Sequence, residues 1–276
     1  MPQDPLHLLC VEPRFPGRLG AVADWLVRRR GCRCRFLCAD ADPRELWPAS
    51  VGRGLEVVRC PAPGEAAVGW ARVLDRSLAH ARAYFDHLDA TRPRPIDLVL
   101  GRSAGLGSTL FVPVALPRVP VVNLFDYFYP PRAGDLTADV RPDIPDAYWH
   151  WRRSANAIDL LDLEGGALPW TLTAWQRDLY PTEYHTDFRV QPDGIATDLF
   201  DPRRRPDSAA ARTLFGRGVP TGARVVTFVS RSLDRLRGFD RFVRLANRLL
   251  RARPDVVCVV LGSPVVSRGL DVEFFG

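Results

Sequence analysis

Lysine is absent from this sequence, in which all 38 basic residues are arginine, and methionine occurs only at position 1. The use of arginine in place of lysine, with abundant alanine, proline and glycine, is typical of a GC-rich coding bias. A single arginine is therefore weaker evidence for a functional role here than in most proteins. The 21 glycines and 25 prolines follow no repeat, which excludes collagen-like and low-complexity chains.

A long uninterrupted apolar run is also missing. The longest apolar stretch, residues 109–125, is broken by Pro113, Pro117, Arg118 and Pro120, so we expect no membrane span. The first ten residues contain no basic segment followed by a long apolar one, which argues against a secretory signal.

The six cysteines form no standard metal-binding pattern. Without a secretory signal they predict reduced thiols in a cytoplasmic protein. Cys32, Cys34 and Cys38 have the spacing C-x-C-x3-C, and no nearby histidine or fourth cysteine completes a zinc site. Because Cys34, Phe36 and Cys38 alternate, we interpret them as the inward residues of a buried strand. We expect no bound metal.

Charge is distributed unevenly between two parts of the chain. Residues 1–196 carry 23 arginines against 24 acidic residues, whereas residues 197–276 carry 15 arginines against 8. The second part therefore holds the whole positive balance of the protein, whose net charge is +6. An anionic partner is expected to bind there.

Apolar strand patterns alternate with helical patterns along most of the chain. The β-branched runs are apolar on both faces, which is typical of a parallel sheet covered by helices on both sides. The predicted strands of the first part lie at Leu6–Glu12, Arg33–Cys38, Leu55–Cys60, Asp97–Gly101, Val119–Leu124, Trp170–Thr173 and Phe188–Pro192. The predicted helices lie at residues 19–30, 65–90 and 146–165.

A second unit with the same alternation begins at Arg224. It shows a strand at 224–230, a helix at 239–253 and strands at 256–262 and 270–275, after the interruption DPRRRP at 201–206. We predict a complete N-terminal Rossmann-like domain over residues 1–196, a linker over 197–223 and part of a C-terminal domain over 224–276. This is an α/β architecture.

Ligands of open α/β sheets bind beyond the carboxyl ends of the strands, and two candidate loops follow strands of the first part. In residues 13–20, Gly17 and Gly20 permit close approach of a ligand to the backbone, with Arg18 between them, although a turn alone would also need glycine. In residues 101–109, Ser103 and Gly105 are the candidates for acceptor contact, and tight packing of a helix start is the alternative.

A third candidate loop, residues 230–238, follows the first strand of the second unit. Arg231, Arg237 and Gly238 lie where two cations and a helix N-terminus can meet a diphosphate. The alternative is an ordinary exposed basic helix face formed by Arg237, Arg241, Arg244, Arg248 and Arg251. No aromatic residues interleave with that face, so we expect no nucleic acid partner.

Several short motifs in a fixed order resemble glycosyltransferase family 4. They are W-Q-x4-P at 175–181, D-G-I-A-T at 193–197 and the Arg231 loop with R-G-F-D at 237–240, together with residues 15–17 and Asn156. The variant most similar is the bacterial group with W-Q-x4-P in its N-terminal domain. The resemblance implies a GT-B fold, in which two Rossmann-like domains hold a nucleotide sugar chiefly through the C-terminal domain.

The resemblance also implies functional roles. Arg231 matches the arginine that contacts the donor diphosphate, Arg237 stands where the family usually has lysine, and the loop from Gly17 to Gly20 faces the donor and acceptor. The implied activity is retaining transfer of a sugar from a nucleotide-diphosphate donor to a glycan or lipid-linked acceptor, without metal or other cofactor. A lipid-linked acceptor would be compatible with peripheral association with a membrane.

Two departures from the family pattern leave an alternative open. There is no histidine around Ser103, and the family's pair of glutamates eight positions apart is absent, since Glu273 is the only glutamate after Glu183. Either the chain is a fragment, or it is a degenerate GT-B-like binding or scaffold protein. In both cases we expect turnover by these 276 residues to be very slow or absent.

Overall fold

The computed structural model describes residues 4–41, 47–62, 71–93, 95–103, 109–130, 146–195, 197, 201, 203, 213–214, 217–234 and 237–263. The chain divides into two compact units, Met1–Asp193 and Gly194–Gly276. None of the described helices combines the length and apolar character needed to cross a membrane.

The first unit is built on a parallel sheet of seven strands. The described strands of the unit, two of which lie outside this sheet, are β1 (His7–Val11), β2 (Arg14–Phe15), β3 (Arg33–Cys38), β4 (Asp40–Ala41), β5 (Leu55–Arg59), β6 (Leu98–Arg102), β7 (Val121–Leu124), β8 (Leu168–Thr171) and β9 (Arg189–Val190). The order across the sheet is β5-β3-β1-β6-β7-β8-β9, and β2 pairs separately with β4. The prediction of a parallel α/β sheet is thereby confirmed.

Helices cover both faces of this sheet. They are α1 (Leu19–Arg30), α2 (Arg72–Thr91), α3 (Val112–Ala115), α4 (Asp146–Glu164) and α5 (Ala174–Arg177). Helix α1 ends at Gly31, which adopts a left-handed φ of 68° and donates its N–H to the Val27 carbonyl, while Cys32 donates its N–H to the Leu26 carbonyl. Arg28, Arg29 and Arg30 in its last turn oppose the negative end of the helix dipole.

The core lies on the two faces of the central strands. One apolar cluster contains Cys34, Phe36 and Cys38, which confirms that these alternating residues point inward from a buried strand. The opposite cluster packs Leu9 and Tyr84, among others, between the sheet and the helices. Burial of apolar side chains on both faces supplies the main driving force for this unit.

Some predicted element bounds are wrong, for local reasons. The strand predicted at Trp170–Thr173 runs instead over Leu168–Thr171, because Thr173 caps α5 by accepting the backbone N–H of Gln176. The strand predicted at Phe188–Pro192 is only Arg189–Val190. The predicted helix start at residues 65–70 and the predicted strand at 270–275 lie outside the described residues.

The second unit contains one β-α-β motif. It consists of β12 (Arg224–Ser232), α6 (Phe239–Ala252) and β13 (Val256–Ser263), and it follows two short antiparallel strands, β10 (Thr213–Leu214) and β11 (Arg217–Gly218). Strands β12 and β13 are parallel neighbours, and the ring of Phe228 lies 5.0 Å from that of Phe242 on α6. Strand β12 extends two residues beyond the predicted end, so Arg231 lies within it.

Candidate functional site

Charged side chains from three neighbouring strands meet at the carboxyl edge of the seven-stranded sheet. Residues Val11 and Gly101 are register partners in β1 and β6, and Arg102 pairs with Leu124 in β6 and β7. Glu12, Arg102 and Asp126 occupy the ends of these strands or the positions just beyond them. They are therefore adjacent in space although Glu12 and Arg102 are 90 residues apart. Ligands of such sheets bind at this edge.

Glu12 is the buried anchor of the site, at 1% exposure. Its Oε2 atom accepts the backbone N–H groups of Arg18 and Leu19, both at 3.0 Å, and Oε1 accepts a hydrogen bond from Arg102 Nη1 at 2.9 Å. Burial raises the pKa of Glu12, although the hydrogen bonds from Leu19, Arg102 and Arg18 oppose this increase. The carboxylate thus holds the start of α1 and the end of β6 together.

Arg102 lies between two carboxylates. Its Nε atom donates to Asp126 Oδ2 at 2.9 Å, and its Nη2 atom contacts the same oxygen. Burial lowers the pKa of Arg102, but Asp126 and Glu12 outweigh burial and raise it, so this guanidinium stays charged. Its side chain is 23% exposed, which places the charge at the boundary between the core and the surface.

Two more exposed side chains, those of Arg18 and Asp193, extend this network toward the surface. Arg18 Nη1 lies 3.3 Å from Asp126 Oδ1 and 3.1 Å from Asp193 Oδ2. The side chains of Arg18 and Asp193 are 39% and 55% exposed. The network therefore runs from the buried carboxylate of Glu12, through Arg102, Asp126 and Arg18, to Asp193, whose carboxylate solvent or a ligand can reach.

The predicted loop residues Gly17 and Gly20 serve this internal network. Gly17 has a φ of 50°, and a Cβ atom there would come within 2.4 Å of Glu12 Oε2. A Cβ atom on Gly20 would lie 2.6 Å from the Cβ of Pro16. The N–H groups of Arg18 and Leu19, which we expected to face a ligand, are bound to Glu12 instead. Of the three residues predicted in this loop, Arg18 is thus the one whose side chain reaches the exposed part of the site.

The W-Q segment borders the same network. Thr173 Oγ1 accepts the N–H of Gln176 and donates to its Oε1 atom, and Gln176 Nε2 donates to the carbonyl of Asp126 at 2.6 Å. Helix α5 is thereby attached to the segment that follows β7. Trp175, beside Gln176, is 55% exposed and lies 5.9 Å from the ring of Tyr127.

Asn156 attaches helix α4 to the other end of that segment. It is 2% exposed, accepts the N–H of Tyr129 through Oδ1 and donates to the carbonyl of Tyr129 through Nδ2, both at 2.8 Å. Arg152, one turn earlier, donates to the carbonyl of Pro130 at 2.7 Å. The backbone of Tyr129 and Pro130 is therefore fixed by two buried side chains of α4.

Ser103 lies in the interior, at 0% exposure, and not at a surface that an acceptor could contact. Its hydroxyl lies 2.8 Å from Asp159 Oδ1 and 2.5 Å from Asp162 Oδ2. Tyr180 donates its hydroxyl to Asp159, and Thr109 donates to Asp162. This geometry gives Ser103 a role inside the protein, below the candidate site. Gly105 lies outside the described residues.

Ser103 can donate its one hydroxyl proton to only one of the two carboxylates at a time. Burial raises the pKa of Asp162 from its ordinary value of 3.8 to about 6, although Ser103 and Thr109 oppose this increase. A carboxyl whose pKa is raised in the folded state contributes its full stabilisation when the pH is below the ordinary pKa. This contribution is lost as the pH rises through about 6.

We therefore predict a pH-dependent stability that depends on Asp162. Acidification from about pH 7 to about pH 5 should increase the free energy of unfolding by about 1 kcal/mol more in the wild type than in Asp162→Asn. Urea unfolding, followed by tryptophan fluorescence at several pH values, measures this difference. Equal pH dependence in the two proteins would contradict the raised pKa.

The second unit holds the predicted diphosphate residues around one turn. Arg231 is exposed near the end of β12, and Arg237 is exposed immediately before Gly238. Gly238 has a φ of 76° and is the N-cap of α6, so the turn needs a glycine for conformational reasons. Asp234 shapes the turn by accepting the N–H of Arg237 at 3.0 Å and the hydroxyl of Ser232 at 2.6 Å. Binding of a diphosphate here stays a prediction.

Sequence reasoning missed the most connected residues of the site. Glu12, Arg102 and Asp126 were not candidates, and Gln176 and Asp193 appeared only as motif letters without a role. The available signal was a charged residue at or just beyond the end of three of the apolar strands. Within the described part of the chain, no group of three or more His, Cys, Asp or Glu side chains could hold a metal ion.

Comparison with known proteins agrees with this architecture. The model of the "Glycosyl transferase family 4 group" matches residues 30–200, more than half of the chain. No curated protein sequence matches this chain significantly.

Three solved structures are similar in fold. The glycotransferase of kitacinnamycin is 19% identical with a TM-score of 0.52, over 96% of this chain and 68% of that one. WaaG, a glycosyltransferase involved in lipopolysaccharide biosynthesis, is 17% identical with a TM-score of 0.56, over 94% and 64%. A ugt transferase from Siraitia grosvenorii, solved in complex with UDP, is 12% identical with a TM-score of 0.52, over 94% and 73%.

These structures share the GT-B-like α/β fold predicted from the sequence, and the chain spans 68% and 64% of the length of the first two. At such low identity the likeness concerns the fold alone. The family match includes Arg102, Asp126, Gln176 and Asp193. The chain belongs to the glycosyl transferase family 4 group.

Proposed function

We propose that the protein is a retaining glycosyltransferase that uses a nucleoside-diphosphate sugar as donor and a glycan or lipid-linked acceptor. The observation that carries the proposal is the family match over residues 30–200. Further support for the donor class comes from the similar Siraitia grosvenorii transferase, whose structure contains UDP.

The second unit offers a site for the donor diphosphate. In the reaction, the bond between the anomeric carbon and the diphosphate oxygen breaks, and the electron pair leaves with the nucleoside diphosphate. The acceptor hydroxyl oxygen bonds to the anomeric carbon on the face that the diphosphate leaves, and its proton passes to an oxygen of the departing diphosphate. Arg231 and Arg237, exposed on either side of the β12–α6 turn, can stabilise the negative charge that develops on the leaving group.

The first unit offers a site for the acceptor. Arg18 and Asp193 present a partly exposed guanidinium and carboxylate at the sheet edge, and Trp175 is exposed on α5, which Gln176 attaches to the carbonyl of Asp126. Hydroxyl groups both donate and accept hydrogen bonds, so a sugar can pair with carboxylates and guanidinium groups alike.

Incubation with nucleotide sugars and methyl glycoside acceptors, followed by NMR of the anomeric protons, tests this proposal. We expect slow transfer, because the sequence contains no glutamate pair eight positions apart after residue 183. The product should keep the anomeric configuration of the donor. A product of inverted configuration would contradict the proposal, and bound donor without any product would favour the non-catalytic alternative.

A further inference from the structure

A continuous row of aromatic rings begins at the candidate acceptor site. Trp175 lies 5.9 Å from Tyr127, Tyr127 lies 4.9 Å from Tyr129, and Tyr129 lies 5.0 Å from Trp151. We call these four residues the aromatic row. Its first member, Trp175, is 55% exposed. Burial of its indole would be favourable, so a ligand that covers it gains free energy from the apolar contact.

Partly buried hydrogen bonds hold the aromatic row in place. Gln176 joins the Trp175 helix to the carbonyl of Asp126 at 2.6 Å, directly before Tyr127 in the chain. Asn156 binds both backbone polar groups of Tyr129 at 2.8 Å. A platform fixed at two points loses little conformational freedom when a ligand binds, and this raises affinity.

The groups around Trp175 and Tyr127 are charged and polar. Asp126 precedes Tyr127, and Arg18 connects Asp126 to Asp193. A purely apolar or aromatic ligand would remove water from these groups without replacing its hydrogen bonds, which is costly. A sugar ring combines an apolar C–H face for the indole with hydroxyl groups for the carboxylates and the guanidinium.

We propose that Trp175, flanked by Tyr127, is the stacking platform for a sugar ring of the acceptor, and that the exposed groups of Arg18 and Asp193 bind its hydroxyl groups. This inference rests on the proposed function. It adds that the part of the acceptor that binds here is a sugar and not a bare lipid or an aromatic alcohol. Asn156 and Gln176 are positioning residues for the platform.

Saturation-transfer NMR with the methyl glycosides of glucose, galactose, mannose and N-acetylglucosamine tests the platform. We expect at least one glycoside to receive saturation on its ring C–H protons. Trp175→Ala should weaken this binding about threefold to tenfold, as expected for loss of one aromatic contact. Trp25→Ala is the matched control, since Trp25 is 46% exposed on α1, where it packs near Arg30.

The outcomes separate this inference from the proposed function. Glycoside binding by Trp175→Ala that is as strong as that of the wild type, saturation of none of the glycosides, or saturation of phenol in preference to every glycoside would overturn the platform. Titration of the same variants with UDP, GDP, ADP and TDP reports the donor side independently. If Trp175-dependent sugar binding occurs and no nucleoside diphosphate binds, the platform stands and the proposed function fails.

Discussion

Replacement of Glu12 with alanine is expected to lower the free energy of unfolding of the first unit by about 3–5 kcal/mol. The variant removes the partner of the Arg102 guanidinium and the acceptor of two backbone N–H groups at the start of α1. These groups lie at a mostly buried position, where loss of a charged partner is far more costly than at the surface. All seven tryptophans lie before residue 193, so tryptophan fluorescence during urea unfolding reports this unit.

Glu56→Ala is the matched control for this prediction. Glu56 also pairs with an arginine, Arg35, at 2.8 Å, but its side chain is 59% exposed. Its removal should change the free energy of unfolding by less than about 0.5 kcal/mol. Similar losses of unfolding free energy in the two variants would show that the Glu12–Arg102 pair stabilises the protein no more than an ordinary surface ion pair does.

Replacement of Arg231 with alanine should weaken binding of the nucleoside diphosphate about tenfold to a hundredfold. Arg231 lies near the carboxyl end of β12, where sheets of this class bind their ligands, and a charge-assisted contact to phosphate is strong. Arg237→Ala should have a smaller effect, because arginine and lysine differ in phosphate geometry and the family usually has lysine there. Isothermal titration of each variant with the nucleoside diphosphate that binds the wild type measures these differences.

Arg248→Ala is the control, since Arg248 is exposed in the second half of α6. Its effect should be small and should decrease as salt is added, because exposed charges are screened. If Arg248→Ala weakens binding as much as Arg231→Ala does, the exposed basic face of α6 is the anion-binding surface and the diphosphate site is misplaced.

Local patterns in the sequence were sufficient to predict the sheet and its inward residues. Cys34, Phe36 and Cys38 are buried as their alternation predicts, and the family resemblance is confirmed by the family match. Both follow from short-range signals, namely side chains that alternate across a strand and motifs in a fixed order. The α/β class could be predicted for the same reason.

The charge network could not be derived in the same way, because it depends on which strands are neighbours. Glu12 and Arg102 meet only because β1 and β6 are adjacent in the sheet. The sequence shows that Gly17 permits an unusual backbone conformation, but not that the Glu12 carboxylate occupies the space beside it. Likewise, nothing local indicates that Ser103 lies below α4, because its partners Asp159 and Asp162 are more than 50 residues away.

The most direct test of the donor site at the β12–α6 turn is hydrogen–deuterium exchange with and without UDP, GDP, ADP and TDP. The account predicts that at least one nucleoside diphosphate slows exchange in peptides that span residues 229–242, while peptides that span residues 13–22 change little. Slower exchange at residues 13–22 without an effect at 229–242, or no effect from any of the four, would contradict it.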